Sequence, residues 1–342
     1  MLFEVRTLSL EASIKRKLQL TAVKVDRFID KLLVPNKPEE VYRAAHHLIK
    51  AGGKRLRPYL VLKTCEMMGG DPELALPYAA AVEMFHTFTL VHDDIMDNDD
   101  LRRGSSTVHT KWGIPLAIVS GDLLFAKVYS AMIEPGISMK LSKERVVSCL
   151  ESLTNAAVIL SEGQALDILQ SNVVDVSEED YIYMVGGKTS ALFRTCAEVG
   201  CLVGGGSEEE VSRLGSFGWD AGIAFQIVDD ILGVTADEAT LGKPVGSDIR
   251  EGKKTLITIK ALEDASPEER ETLEKALGVQ DASTSDIDEA MNVLASTGAI
   301  AYAEKVAAEY TEKGMSAISA FPDSEAKRDL LELLEYFTKR SY

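Results

Sequence analysis

The stretch "LVHDDIMDNDDLRRG", residues 90–104, crowds five carboxylates (Asp93, Asp94, Asp97, Asp99 and Asp100) together and follows them with two arginines. Like charges at that density are costly unless something cationic gathers them. The stretch closes an apolar segment, 75–91, whose 3.6-residue period predicts a helix running into the carboxylates. On that helix His86, Asp93 and Asp97 fall within roughly 40° of one another, and Thr89 lies near the same stripe. Asp93 and Asp97, spaced i and i+4, therefore point the same way. A second stretch, "FQIVDDILG" (225–233), repeats the device, with Gln226, Asp229, Asp230 and Gly233 at i, i+3, i+4 and i+7. Two apolar helices that each end in aligned carboxylates suit hard divalent cations, and magnesium shares its oxygen shell with water and substrate phosphates. Each cluster taken singly also reads as a solvated helix end, although the helix dipole disfavours carboxylates there. An EF-hand is excluded, because "DNDDLRRG" lacks the required glycine and the closing glutamate.

Cations recur in glycine-rich turns. "AGGKRLRP" (51–58) places Lys54, Arg55 and Arg57 after a Gly-Gly pair and before a helix start, an arrangement suited to a diphosphate. Arg102 and Arg103 form a second basic pair, "GGKTS" (186–190) offers Lys188 and Thr189, and "LGKPVGSDIREGKKT" (241–255) supplies Lys243, Lys253 and Lys254. Any one of these is also an ordinary surface turn. A P-loop is rejected for "GGKT": Ile182 stands where the first glycine is needed, and no strand precedes it. Carboxylate pairs for metal and basic turns for phosphate, joined by apolar helices, describe a hydrophobic cavity with a metal-and-diphosphate mouth.

The 342 residues are 46% apolar and carry a net charge of -17, which excludes a polyanion such as nucleic acid as the main partner. The four cysteines (Cys65, Cys149, Cys196, Cys201) show neither a C-x-x-C pair nor zinc spacing, and read as reduced thiols. The first twenty residues hold scattered charges and no apolar run of spanning length, so a soluble, cytoplasmic chain with no transmembrane segment is expected. Strand signals are scarce, and periodic segments bounded by Gly and Pro predict a dozen or so helices in one all-α domain, 1–342. Residues 1–22 read as an N-terminal arm or helix, and 261–290 as an acidic peripheral segment. Asp71 before Pro72, and Ser177 three residues before Asp180, predict capped helix starts.

With these motifs in order and near the expected spacing, the sequence resembles the trans-prenyl diphosphate synthases (polyprenyl synthetases) over most of its length. The resemblance rests on "GGKRLRP", "DDIMDNDDLRRG", "GKT", "FQIVDDILG" and "GKPVGSDIREGKKT". It implies the isoprenoid synthase fold: about ten core helices around a central apolar cavity, plus peripheral helices, in a homodimer. It further implies three magnesium ions, with manganese as a substitute, and condensation of isopentenyl diphosphate with an allylic diphosphate. Carried over by motif, Asp93, Asp97 and Asp229 would be metal ligands, with Asp94, Asp230 and Asp167 of "EGQALDIL" beside the metals and Asp248 further out. Arg102, Lys188, Thr189, Gln226, Lys243 and Lys253 would serve the allylic diphosphate. Lys54, Arg57, His86 and Arg103 would serve the isopentenyl diphosphate, with a basic tail (Lys339, Arg340) near it. The resemblance thus implies Asp93, Asp97, Arg102, Lys188, Asp229 and Lys243 as the catalytic set. The second aspartate motif departs from the family pattern at Gly233, where a third aspartate often stands.

Product length in such enzymes follows from where the growing chain meets bulk. An isoprene unit is about as long as one helical turn, ~5.4 Å. The resemblance puts this floor at Phe85, Phe88 and Thr89, and bulky Phe88 beside small Thr89 matches a C20, geranylgeranyl-type synthase. C15, mixed C15/C20 and C25 products are the alternatives. Ideal geometry sets Phe88 roughly 140° from Asp93, so both phenylalanines also read as plain core aromatics. A terpene cyclase would not need "GGKRLRP" and Arg103, and a non-catalytic subunit would be expected to lose an acidic cluster.

Overall fold

The computed structural model describes residues 2–138, 141–170, 176–235, 247–279 and 281–338. The chain there is helical apart from turns and one short hairpin, as the apolar period predicts. Its elements in order are α1 (Leu2–Leu32), α2 (Glu39–Lys50), α3 (Leu56–Met67), α4 (Pro72–Met96), β1 (Leu101–Arg102), β2 (Ser105–Ser106), α5 (Val108–Trp112), α6 (Ile114–Ser138), α7 (Lys143–Gln170) and α8 (Glu178–Val185). A π-helical turn, Gly186–Ser190, leads into α9 (Ala191–Gly204). Then come α10 (Glu208–Thr235), α11 (Ser247–Glu251), α12 (Leu256–Asp264), α13 (Pro267–Glu274), α14 (Thr284–Ser296), α15 (Ala299–Ala317) and α16 (Glu325–Thr338).

Both predicted caps form. Asp71 accepts from the Glu73 amide with Pro72 in the first turn, and Ser177 and Asp180 make a reciprocal capping box. The hairpin was not predicted, because no Asn-Gly marks it. Arg103 and Gly104 both take positive φ (55° and 72°), and the two-residue turn they form needs that conformation to match strand twist. The π turn and α5 also went unpredicted.

The chain separates into two compact units. The first comprises residues 1–154, 195–215 and 321–333; the second comprises 155–194, 216–320 and 334–342. In the first, α4 packs chiefly on α6 and α3, and small residues (Ala79, Ala80, Ala81) bury completely and let its neighbours approach. Gly200 of α9 lies so close to Thr64 and the Val61 carbonyl of α3 that a side chain there would collide. In the second, Ile223, Ile227 and Ile231, one stripe of α10, anchor a core with Leu256, Ile257 and Leu294. The acidic 261–290 region is amphipathic there: Glu268, Glu271 and Glu274 are exposed, while Leu273, Ala276 and Ile287 are buried. Pro72–Met96 and Ile114–Glu134 are each long and apolar enough to cross a membrane, with 67% and 39% of their apolar windows buried. All four cysteines are buried and free.

One buried ion pair organises the first unit. Arg55, 2% exposed, donates to Glu83 Oε1 (2.9 Å) and Asp26 Oδ1 (2.8 Å), and to the carbonyls of Ile49 (2.8 Å) and Gly52 (3.0 Å). It thereby ties α1, the end of α2 and α4 to the glycine turn. Breaking a buried pair by removing one partner costs about 3–5 kcal/mol, since the other charge stays uncompensated. Arg55→Met is therefore expected to lower stability by that amount in chemical denaturation, and Arg55→Met/Glu83→Leu to recover part of it.

Candidate active site

In the first unit the carboxylates sit at the end of α4. The Asp97 amide still bonds to the Asp93 carbonyl (2.8 Å), so helical register holds to Asp97 and the two half-buried carboxylates keep their i, i+4 alignment. Asp94 is different. It is wholly buried, and Arg102 Nε donates to its Oδ1 at 2.6 Å while another Arg102 nitrogen donates to Asp99 (3.0 Å). Burial pushes the Asp94 carboxyl above the usual range, against the pull of Arg102. The structure thus commits Asp94 to holding the hairpin arginine.

The hairpin explains why two arginines follow so closely. Arg102, on the strand, turns toward Asp94 and Asp99. Arg103, in the turn, donates to the Gly52 carbonyl, which also receives Arg55. Two arginines thereby meet at one carbonyl of the Gly-Gly turn. Gly53 (φ +145°) closes that cluster: a Cβ would come within 2.6–2.8 Å of the Arg55 and Arg103 guanidiniums. Arg57, in the first turn of α3, donates to His86 Nε2 at 3.3 Å. A guanidinium only donates, so Nε2 is the bare nitrogen and Nδ1 carries the proton. Burial, then Arg57 and Arg103, hold the His86 pKa well below its usual value, so the ring is neutral. Glu83 is the buried countercharge of this group. Its carboxyl is pushed up by burial and drawn down by Arg55, Arg103 and Arg57. Lys54 is exposed beside them.

Behind the carboxylates Phe88 stacks edge-on to Phe85 (centroids 5.6 Å apart) and His92 (4.9 Å), and tilts against Phe125 of α6 (5.1 Å). Tyr129 extends the cluster from Phe125. Thr89 turns its hydroxyl back to the His86 carbonyl (2.8 Å). Sequence reasoning named Phe85, Phe88 and Thr89 but missed Phe125 and Tyr129, because nothing local links α6 to α4.

In the second unit α7 and the π turn approach backbone to backbone. A Cβ on Gly163 would overlap the Lys188 amide, and one on Gly187 would stand 2.9 Å from the Ile159 carbonyl. That closeness brings Lys188 Nζ to Asp167 Oδ2 at 2.5 Å, joining "GKT" to "EGQALDIL". Thr189 donates to Gln226 (2.9 Å), and Gln226 donates to Asp230 Oδ1 (2.9 Å). Asp230 Oδ2 accepts from Tyr181 (2.7 Å), a residue the sequence gave no reason to select. Asp229 is exposed one position earlier. Lys253 pairs with Glu251 (2.7 Å) on the α11 side. Lys243, Lys339, Arg340 and the side chain of Asp248 lie outside the described residues. Glu83, also missed, did leave a signal: a single acid inside an otherwise apolar helix has to find a cation.

Among the described residues no three acidic, histidine or cysteine side chains converge into a metal cage. The donors on offer are carboxylate oxygens at helix ends, singly or in an aligned pair. This fits magnesium, which binds through one or two carboxylates and completes its shell with water and phosphate.

Comparison with known proteins points the same way. The polyprenyl synthetase family model matches residues 38–294. The chain is 42% identical to the geranylgeranyl diphosphate synthase of Sulfolobus acidocaldarius, over 88% of this chain and 91% of that one. It is also 42% identical to the geranylfarnesyl diphosphate synthase of Aeropyrum pernix, over 89% and 95%. The crystal structure of geranylgeranyl pyrophosphate synthetase from Pyrococcus horikoshii superposes with a TM-score of 0.89 at 42% identity, covering 98% of this chain and 100% of that one. Helical fold, ordered motifs and full-length similarity agree, and the chain belongs to the polyprenyl synthetase family.

Proposed function

We propose that this protein is a short-chain trans-prenyltransferase that condenses isopentenyl diphosphate with allylic diphosphates and makes chiefly the C20 product, geranylgeranyl diphosphate. One observation carries the reading. A single helix, α4, presents a cation-facing residue (His86, bonded to Arg57) and, two turns on, the aligned carboxylates Asp93 and Asp97. One diphosphate is thereby served by cations directly, and the other through metal. Relatives named geranylgeranyl synthases share about two fifths of the sequence.

The roles follow from the groups. Lys54, Arg57, Arg103 and neutral His86 bind the isopentenyl diphosphate, with Glu83 holding Arg55 beside them. Asp93, Asp97 and Asp229 would hold magnesium, which when bound neutralises charge on the leaving diphosphate. Lys188 and Lys243 bind that allylic diphosphate, and Arg102 orients the carboxylate end of α4 through Asp94. As the allylic C–O bond breaks and diphosphate departs, the isopentenyl double bond attacks the allylic carbon, and the resulting cation gives a proton to the departed diphosphate and forms the product's new double bond. Apolar walls keep water from the cation, and the Phe85–Phe88–Phe125 cluster stops chain growth. Residues 1–342 would act as one isoprenoid synthase domain in a cytoplasmic homodimer. Ile118 and Val119, exposed on α6, are apolar positions suited to the dimer contact.

With magnesium, an allylic primer and labelled isopentenyl diphosphate, chromatography of the dephosphorylated products is expected to show mainly C20. Chelation by EDTA should abolish turnover. Phe88→Ala, by opening the floor, should shift the product toward C25 and beyond in the same assay. A charged hydrogen bond is worth about 1.5–3 kcal/mol. Arg57→Ala should therefore raise KM for isopentenyl diphosphate at least tenfold in steady-state kinetics, with KM for the allylic substrate unchanged.

A further inference from the structure

Four side chains of the second unit form a hydrogen-bond chain whose direction chemistry dictates. Tyr181, 1% exposed on α8, contacts Asp230 Oδ2 at 2.7 Å. A tyrosine phenol carries its proton at neutral pH, so the hydroxyl donates to that carboxylate oxygen. An ionised carboxylate only accepts. The Gln226 amide, four residues before Asp230 on α10, must then present its NH2 to Asp230 Oδ1, and the distance is 2.9 Å. Its carbonyl oxygen is thereby turned to Thr189, 2.9 Å away in the π turn, and the Thr189 hydroxyl must donate to it. Amide orientation is usually ambiguous by shape; here the acceptor-only end of the chain decides it. Thr189 keeps lone pairs, and no proton, for whatever stands before it. Each Asp230 oxygen receives one of these donors.

We propose that Tyr181 and Asp230 are positioning residues, which set the polarity of Gln226 and Thr189 through this chain, and that the Asp230 carboxylate serves the chain while Asp229 serves the metal. This rests on the prenyltransferase reading, in which Thr189 faces the allylic substrate. A hydroxyl held as an acceptor suits a carbon on which positive charge develops as the diphosphate departs. Asp230→Asn keeps the shape but can donate, so the Gln226 amide is released to flip and the Thr189 proton is no longer committed.

The test compares Tyr181→Phe, Asp230→Asn and Asp229→Asn with the wild type. Tyr302→Phe is the control, since it removes a tyrosine–carboxylate bond of the same type, to Glu178, outside the chain. Kinetics with varied allylic diphosphate and varied magnesium are paired with the hydrogen exchange of the Gln226 side-chain amide in 15N-glutamine-labelled protein, assigned by its loss in Gln226→Leu. Tyr181→Phe and Asp230→Asn are each expected to lower kcat about 10-fold, the value of one charged hydrogen bond. The double variant should be no worse than Asp230→Asn, as members of one chain are not additive. Neither should move the half-maximal magnesium concentration, which Asp229→Asn should raise. Both should speed Gln226 amide exchange. The proposal is overturned if Asp230→Asn raises the magnesium requirement as Asp229→Asn does while Tyr181→Phe behaves like Tyr302→Phe. If the wild type does not condense its substrates, the prenyltransferase reading fails. The amide exchange still decides the chain: an unprotected Gln226 amide in the wild type refutes it, and protection lost in Tyr181→Phe upholds it.

Discussion

A long apolar helix that ends in a dense run of carboxylates is the constraint on which the first unit depends. Helix C-termini disfavour negative charge, and five acids so close together in sequence add their own repulsion. The fold resolves part of this internally by curling the next residues into a hairpin, so that Arg102 reaches Asp94 and Asp99. Beside that hairpin, Asp93 and Asp97 keep their i, i+4 alignment at the end of the helix. The same hairpin delivers Arg103 to the glycine turn, so one local solution also builds the cationic half of the site.

Burial sets the character of each charged group. Arg55 and Glu83 are paired and inaccessible, and they act as a frame. Arg57, Arg103 and Lys54 stand around that frame, Arg57 against His86 and Arg103 against the Gly52 carbonyl. His86 is neutral because burial, and then the neighbouring arginines, disfavour its charged form. In the second unit the π turn plays the corresponding part. The extra residue per turn, and the glycines that permit close approach, bring Lys188 to Asp167 and Thr189 to Gln226 on consecutive residues. Such single-turn π segments gather at functional sites for this reason.

Much of the molecule was legible in one dimension. Helix positions came from apolar periodicity, and starts such as Asp71 and Ser177 from cap chemistry. The alignment of Asp93 with Asp97 followed from 3.6 residues per turn. Beyond a few local turns, what was not legible depends on groups far apart in the chain. Phe125 meets Phe88 across two helices, and Glu83 finds Arg55 from 28 residues away. The hairpin escaped because its turn uses Arg-Gly in place of the commoner Asn-Gly.

The sequence by itself determined that this chain is helical, acidic and equipped with two carboxylate clusters and several basic turns, because those properties are set by local spacing and composition. Only the tertiary structure decided which carboxylates face outward and which are consumed. Helical spacing and resemblance set Asp97 apart from Asp94, and Asp229 from Asp230, but neither says which donors each carboxylate meets. Arg102 beside Asp94, and Tyr181 and Gln226 beside Asp230, make these two different, since a carboxylate's chemistry is set by the donors that packing brings to its oxygens.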